Sequence, residues 1–89
     1  MAEAYIIDAV RTPRGVGKPG KGALSHLHPQ HLAATCLKAI KDRNGLDTST
    51  VDDIIWSTSS QNGKQGGDLG RMSALAAGYD ISASGTTLD

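Results

Sequence analysis

Eighty-nine residues with nine basic and nine acidic side chains hold at most one small domain and present no strong net field for nucleic acid or an anionic membrane. With no phenylalanine, one tryptophan and two tyrosines, core volume must come from Ile, Leu, Val, Ala and Met. That supply is thin for a chain short enough to bury only about two-thirds of its unfolded surface. A single cysteine, Cys36, excludes an internal disulfide and a cysteine-built zinc site.

The start, Met1-Ala2-Glu3-Ala4, is acidic and runs into only a short apolar stretch, unlike a signal or transit peptide. The apolar runs fall far short of a membrane span. A soluble, reducing, cytoplasmic setting is the expectation, with neither nucleic acid nor membrane as partner.

Ala4 to Val10 (AYIIDAV) is apolar except at Asp8 and is closed by Thr12-Pro13. It reads as a strand buried on both faces, the kind that belongs to a parallel sheet. The expected class is therefore α/β. Arg14 to Ser25 carries Gly15, Gly17, Gly20, Gly22 and Pro19 without apolar periodicity, and reads as a loop. Pro29 suits a first helical position. From there Ala33, Cys36, Leu37 and Ile40 fall on one helical stripe. Lys38, Lys41 and Arg43 lie off it towards the C-terminal end, where cations are favoured. Asn44-Gly45 supplies a left-handed cap, with Leu46 folding back on the last turn.

Asp53 to Ser57 (DIIWS) predicts a second strand, and Ser59 to Gly67 a polar loop. Asp68 can N-cap a second helix whose apolar stripe is Met72, Leu75 and Ala76, ending at Gly78. Ile81 to Gly85 then leads into Thr86-Thr87-Leu88, a third, β-prone run that reaches Asp89.

The resulting βαβαβ order leaves a question of cover. Right-handed crossovers that step the same way put both helices on one sheet face. The other face then stays bare, at a severe loss for so small a core, unless a further segment or a partner covers it. The alternative sets the helices on opposite faces with the first strand in the middle. In open α/β sheets, ligand sites form outside the carboxyl ends of the strands, and Asp89 stands at about that place.

Several motifs invite chemistry. Gly15-Val16-Gly17-Lys18-Pro19-Gly20 matches GxGxxG, but a dinucleotide turn needs the glycines directly between strand and helix. Here Arg11 to Arg14 intervene, and helical periodicity begins only near Pro29. The same stretch approximates a phosphate-binding loop, yet Gly22 stands where a magnesium-binding hydroxyl is needed. Arg11, Arg14, Lys18 and Lys21 make the stretch basic; a solvated loop is the expected reading, ahead of a nucleic-acid contact. His26, His28 and His31 could approach a common metal, but no carboxylate lies among them to ligate or orient. Cys36 lacks the helix N-terminus or basic neighbour that makes a thiolate nucleophilic, so a buried structural role is expected.

Taken in order, these segments resemble the thiolase family. Ala4 to Gly15 (AYIIDAVRTPRG) is similar to the family's opening strand with its Ala-x-Arg-Thr-Pro-x-Gly element. His31 to Arg43 resembles the first helix, Gly45 to Gln61 the passage to the second strand, and Gly70 to Asp80 the second helix with its Ala-Gly end. Trp56-Ser57 departs from a common Gly-Asn pair, and Arg14 from a common aromatic.

The resemblance implies a βαβαβ portion of a layered αβαβα fold, with residues 1–89 as the N-terminal part of the thiolase N-terminal domain. It implies acyl-CoA acetyltransferase chemistry: Claisen condensation of acetyl-CoA, or thiolytic cleavage of 3-ketoacyl-CoA, as in fatty acid metabolism. That chemistry proceeds through an acylated cysteine, a second acid/base cysteine, histidines and oxyanion holes. The acylated cysteine is expected a few residues beyond Asp89. Cys36 does not match it, and the three histidines match no catalytic motif.

No catalytic, cofactor-binding or metal-binding residue is therefore carried over. The segment alone is expected to be inactive, with coenzyme A thioesters as substrates of the complete enzyme. The expected partners are the remainder of the polypeptide and further subunits in a homodimer or tetramer. Thr86, Thr87 and Leu88 are the candidate interface strand, since an edge strand pairs readily, with the loop Gln61 to Gly67 nearby. The rival reading is a small non-catalytic α/β interaction module.

Overall fold

A computed structural model describes residues 3–89; Met1 and Ala2, part of the leader reading above, lie outside the described residues. The fold is α/β, with a two-stranded parallel sheet and two α-helices. Helix α1 runs Pro29–Asn44, strand β1 Asp53–Ser57, helix α2 Leu69–Ala76 and strand β2 Ser84–Leu88.

The ends of α1 follow from its sequence. His28 has extended backbone, and its Nδ1 accepts from the Gln30 amide at 3.0 Å, with Pro29 opening the helix. At the other end Gly45 takes φ 56°, ψ 38°, a left-handed pair that costs glycine little. The Leu46 amide then donates back to the Lys41 carbonyl at 3.0 Å, closing a Schellman-type cap. Asp47 caps a short 3₁₀ turn, Thr48–Thr50, by accepting from the Ser49 amide.

The strands pair in parallel register from Asp53 with Ser84 to Ser57 with Leu88. Because side chains alternate across a strand, Ile54, Trp56, Gly85 and Thr87 share one face. Ile55, Thr86 and Leu88 share the other. Leu37 of α1, Ile54 of β1, Ala74 and Ala77 near the end of α2, Tyr79 and Ala83 form one buried cluster. Both helices thus serve the same sheet face. The opposite face is bare, with Ile55 72% and Leu88 53% exposed. Of the two topologies left open by the sequence, the structure adopts the one with an uncovered face.

Four expectations are corrected. Ala4 to Val10 forms no strand; Ile6 is 93% and Ile7 83% exposed, and among the described residues only the Asp8 side chain ties the segment back, to Asn44 at 2.9 Å and Arg43 at 3.3 Å. A strand apolar on both sides gains from pairing only when both faces are covered, and the two helices cover one. The stripe Met72, Leu75 and Ala76 is exposed; α2 instead buries Leu69, Gly70, Ser73 and Ala74. Small residues win because the helix lies so close to the sheet that a Cβ on Gly70 would stand 2.8 Å from Trp56 Cβ. Cys36 is half-buried rather than fully enclosed, as is Ile40, while Ala33 and Leu37 are buried as the α1 stripe requires. The last strand begins earlier than expected, at Ser84.

Tyr79 ties the helices together, its hydroxyl donating to the Leu37 carbonyl at 2.8 Å in the core. Burial, helped by the negative charge of Asp42, raises its phenol above the ordinary value. The folded state thus holds a proton that the unfolded chain releases first, so this stabilisation is present below the ordinary tyrosine value near 10 and lost as pH rises through the raised one. Tyr79→Phe is expected to cost about 1 kcal/mol at neutral pH and to flatten the alkaline fall in stability. Thermal melts of both proteins across pH 8 to 12 check this; parallel alkaline falls would place the titration on another group.

Candidate functional site at the strand ends

Thr12, the start of α1, the ends of β1 and the start of α2 meet at the carboxyl end of the sheet. They border a shallow, open cavity of about 250 Å³ lined by Thr12, Pro29, Cys36, Trp56, Thr58 and Leu69, among others. The Thr58 amide extends the ladder one step beyond β1, donating to the Leu88 carbonyl at 2.8 Å.

The start of α2 is fastened to the end of β2 by one relay. The Asp68 carboxylate accepts from the Arg71 amide at 3.1 Å, as an N-cap should. The same oxygen accepts from the Thr87 hydroxyl at 2.6 Å, and that hydroxyl accepts from the Gly70 amide at 2.9 Å. Two helix N–H groups and a strand side chain are thus satisfied by one carboxylate and one hydroxyl. Further along, the Arg71 guanidinium donates to the carbonyls of Ile81, at 3.0 Å, and Ala83. The turn into β2 is held from the helix side.

The relay fixes the carboxyl end of β2 against α2, and the Arg71 contacts fix the turn that enters the strand. Cys36 lines the cavity from within α1 rather than from a helix N-terminus. Among the described residues no imidazole hydrogen-bonds a thiol or hydroxyl, and His28 spends Nδ1 on its own helix. His26, His28 and His31 do not assemble; no group of three or more His, Cys, Asp or Glu stands ready for a metal among the described residues.

Of the candidate interface residues, Thr86 and Leu88 point to the bare face and are exposed, while Thr87 turns inward to Asp68. The outer edge of β2 pairs with no strand among the described residues. No helix of the described residues is long and apolar enough to cross a membrane. The Asp68–Thr87–Gly70 relay was not anticipated from sequence. Its one local signal was Asp68 as a cap, and the partner lies 19 residues away.

Comparison with known proteins agrees with this architecture. Residues 4–89 match the family description "Thiolase, N-terminal domain". A steroid 3-ketoacyl-CoA thiolase of Mycobacterium tuberculosis is 46% identical over the whole chain, which covers 21% of that protein. A 3-oxoadipyl-CoA/3-oxo-5,6-dehydrosuberyl-CoA thiolase of Escherichia coli is 41% identical, again over the whole chain and 22% of its own length. A 3-ketoacyl-CoA thiolase of Shewanella loihica is 36% identical, with 23% of its length covered. The chain spans about a fifth of the length of these relatives. With the match running from Ala4 to Asp89 and the α/β scaffold beneath it, the chain belongs to the thiolase family, whose N-terminal domain it matches.

Proposed function

We infer that the chain is the opening part of a thiolase N-terminal domain and acts within a complete acyltransferase on coenzyme A thioesters. The observation that carries this is the family match over residues 4–89. The relatives' names support thiolase chemistry on 3-ketoacyl-CoA, as thiolytic cleavage or as Claisen condensation of acetyl-CoA. The chain's own part is scaffold: the Asp68–Thr87 relay holds the carboxyl end of β2, where α/β enzymes place their ligands, and the Arg71 contacts hold the turn that enters the strand. The bare face carrying Ile55 and Leu88 and the exposed Ile6 and Ile7 suit cover by the remainder of such an enzyme. They speak against the rival reading of a self-sufficient interaction module.

In this reading Thr86, Thr87 and Leu88 contribute the subunit contact through the outer edge of β2, in a cytoplasmic homodimer or tetramer. Thr86 and Leu88 would meet the partner, and Thr87 would hold the strand in place. The test is thiolysis of acetoacetyl-CoA by CoA, followed by loss of the enolate absorbance. The 89-residue chain alone is expected to show no turnover. The chain joined to the remainder of its enzyme is expected to turn over, and silence from that complete protein would defeat the thiolase reading.

A further inference from the structure

On the covered face of β2 stand Gly85 and Thr87, and α2 meets them differently. At Gly85 the helix backbone packs directly on the strand, with Arg71 above it. At Thr87 the first turn of the helix meets a hydroxyl. Valine has the same shape and suits a strand that faces a helix, so the hydroxyl is what distinguishes this position.

That hydroxyl is used on both sides. It donates to Asp68 Oδ1 at 2.6 Å and accepts from the Gly70 amide at 2.9 Å. An O–H bond this short to a carboxylate is charge-assisted and among the stronger kinds. The same Asp68 oxygen takes the Arg71 amide at 3.1 Å, so two of the helix's otherwise unpartnered first amides are served by one linked pair of side chains. Threonine has few χ1 choices. Holding Oγ1 between a donor and an acceptor therefore fixes the direction of the side chain, and with it the backbone at residue 87.

The next residue is held from the side, because the Thr58 amide donates to the Leu88 carbonyl at 2.8 Å. Close approach of the helix depends on Gly70, where a Cβ would stand 2.8 Å from Trp56 Cβ and 3.4 Å from Thr87 Oγ1. Residues 87 and 88 are thus set by α2 and by β1 at the carboxyl end of the strand, the end beyond which α/β sheets assemble their ligand sites. For stability alone, an apolar pair of the same shape serves about as well as a hydrogen-bonded one. What the hydrogen bonds add is direction.

We propose that Thr87 is a positioning residue for the reaction of the complete enzyme. Through Asp68 and Gly70 its hydroxyl sets the course of the chain leaving β2, and so the placement of the reacting groups beyond that end. It acts through the backbone rather than on the substrate. A misplacement of about 1 Å at such a distance can cost up to about a hundredfold in rate. The proposal rests on the thiolase reading above and adds to it a residue whose loss is read in kcat.

The test is thiolysis of acetoacetyl-CoA by the complete enzyme, well below its melting temperature. Thr87→Val is expected to lower kcat roughly tenfold or more, with the KM for CoA within about twofold of wild type. Thr87→Ser, which keeps the hydroxyl, should restore most of the loss. Asp68→Asn keeps an acceptor oxygen and should be mild, whereas Asp68→Ala should lose at least as much as Thr87→Val. Because the two side chains act as one unit, Asp68→Ala/Thr87→Val is expected to be no slower than the slower single variant. Tyr79→Phe is the control: it removes another core hydrogen bond, 2.8 Å to the Leu37 carbonyl, and its kcat is expected to hold.

An unchanged kcat for Thr87→Val would overturn the proposal. So would a loss that Thr87→Ser shares in full or that Tyr79→Phe matches, since either marks a general structural effect. Losses that multiply in the double variant would overturn the relay as the means. A wild-type enzyme without thiolysis would defeat the thiolase reading itself, which separates the two failures.

Discussion

Gly85→Val is expected to destabilise the packing of α2 on β2 by about 3 kcal/mol, the upper range for forcing volume into a filled site. A Cβ at Gly85 would stand 2.9 Å from both the amide nitrogen and the Cα of Arg71. These are helix backbone atoms, so relief requires moving α2 off the sheet. That movement would also pull Arg71 from the carbonyls of Ile81 and Ala83 and Gly70 from Thr87. Valine's β-branching suits a strand, so propensity acts in the opposite direction and the loss isolates the steric effect. Gly17→Val is the control, because nothing lies within 4 Å of its added Cβ and a change of no more than about 0.5 kcal/mol is expected. Denaturant unfolding of both variants measures the difference. A Gly85→Val protein as stable as wild type would mean that α2 does not lie this close to the strand.

The second large effect separates the chain alone from the complete enzyme. In the chain alone Ile6 and Ile7 are exposed, so Ile6→Asp or Ile7→Asp is expected to change its stability by no more than about 0.5 kcal/mol. If the segment becomes a strand covered on both faces in the complete enzyme, neighbouring side chains point to opposite faces. Each substitution then loses about 2 to 3 kcal/mol of apolar burial and adds the desolvation of a carboxylate. Loss of assembly or a marked drop in melting temperature is expected for both variants of the complete enzyme. Sensitivity at one position only would indicate a strand with one face in water. Tolerance at both would leave the segment outside the sheet altogether.

The contrast between α1 and α2 shows how much was legible beforehand. The bounds of α1 follow from Pro29, the Asn44-Gly45 cap and the return of Leu46, all local events within a few residues, and each is found where the residues place it. Strand β1 at Asp53–Ser57 and the Asp68 cap are equally local and equally found. For α2, ranking residues by apolar size selects Met72, Leu75 and Ala76, yet the buried face is Gly70, Ser73 and Ala74 with Leu69. Two glycines facing each other's elements, Gly70 towards Trp56 and Gly85 towards Arg71, carried that information. It becomes readable only once the two elements are known to touch.

The candidate site divides in the same way. The ordered motifs from Ala4 to Asp80 were enough to indicate the thiolase family. That Thr87 turns inward to Asp68 while Thr86 and Leu88 face outward was decided by strand register, which a three-residue run does not encode. Sequence by itself determined the α/β class, the capped ends of the helices and the family, because turns and caps are short-range hydrogen-bond chemistry. Tertiary structure decided which face of α2 is buried, which face of the sheet stands bare and whether Ala4 to Val10 pairs as a strand. Those outcomes depend on how closely distant segments approach and on what is present to cover them.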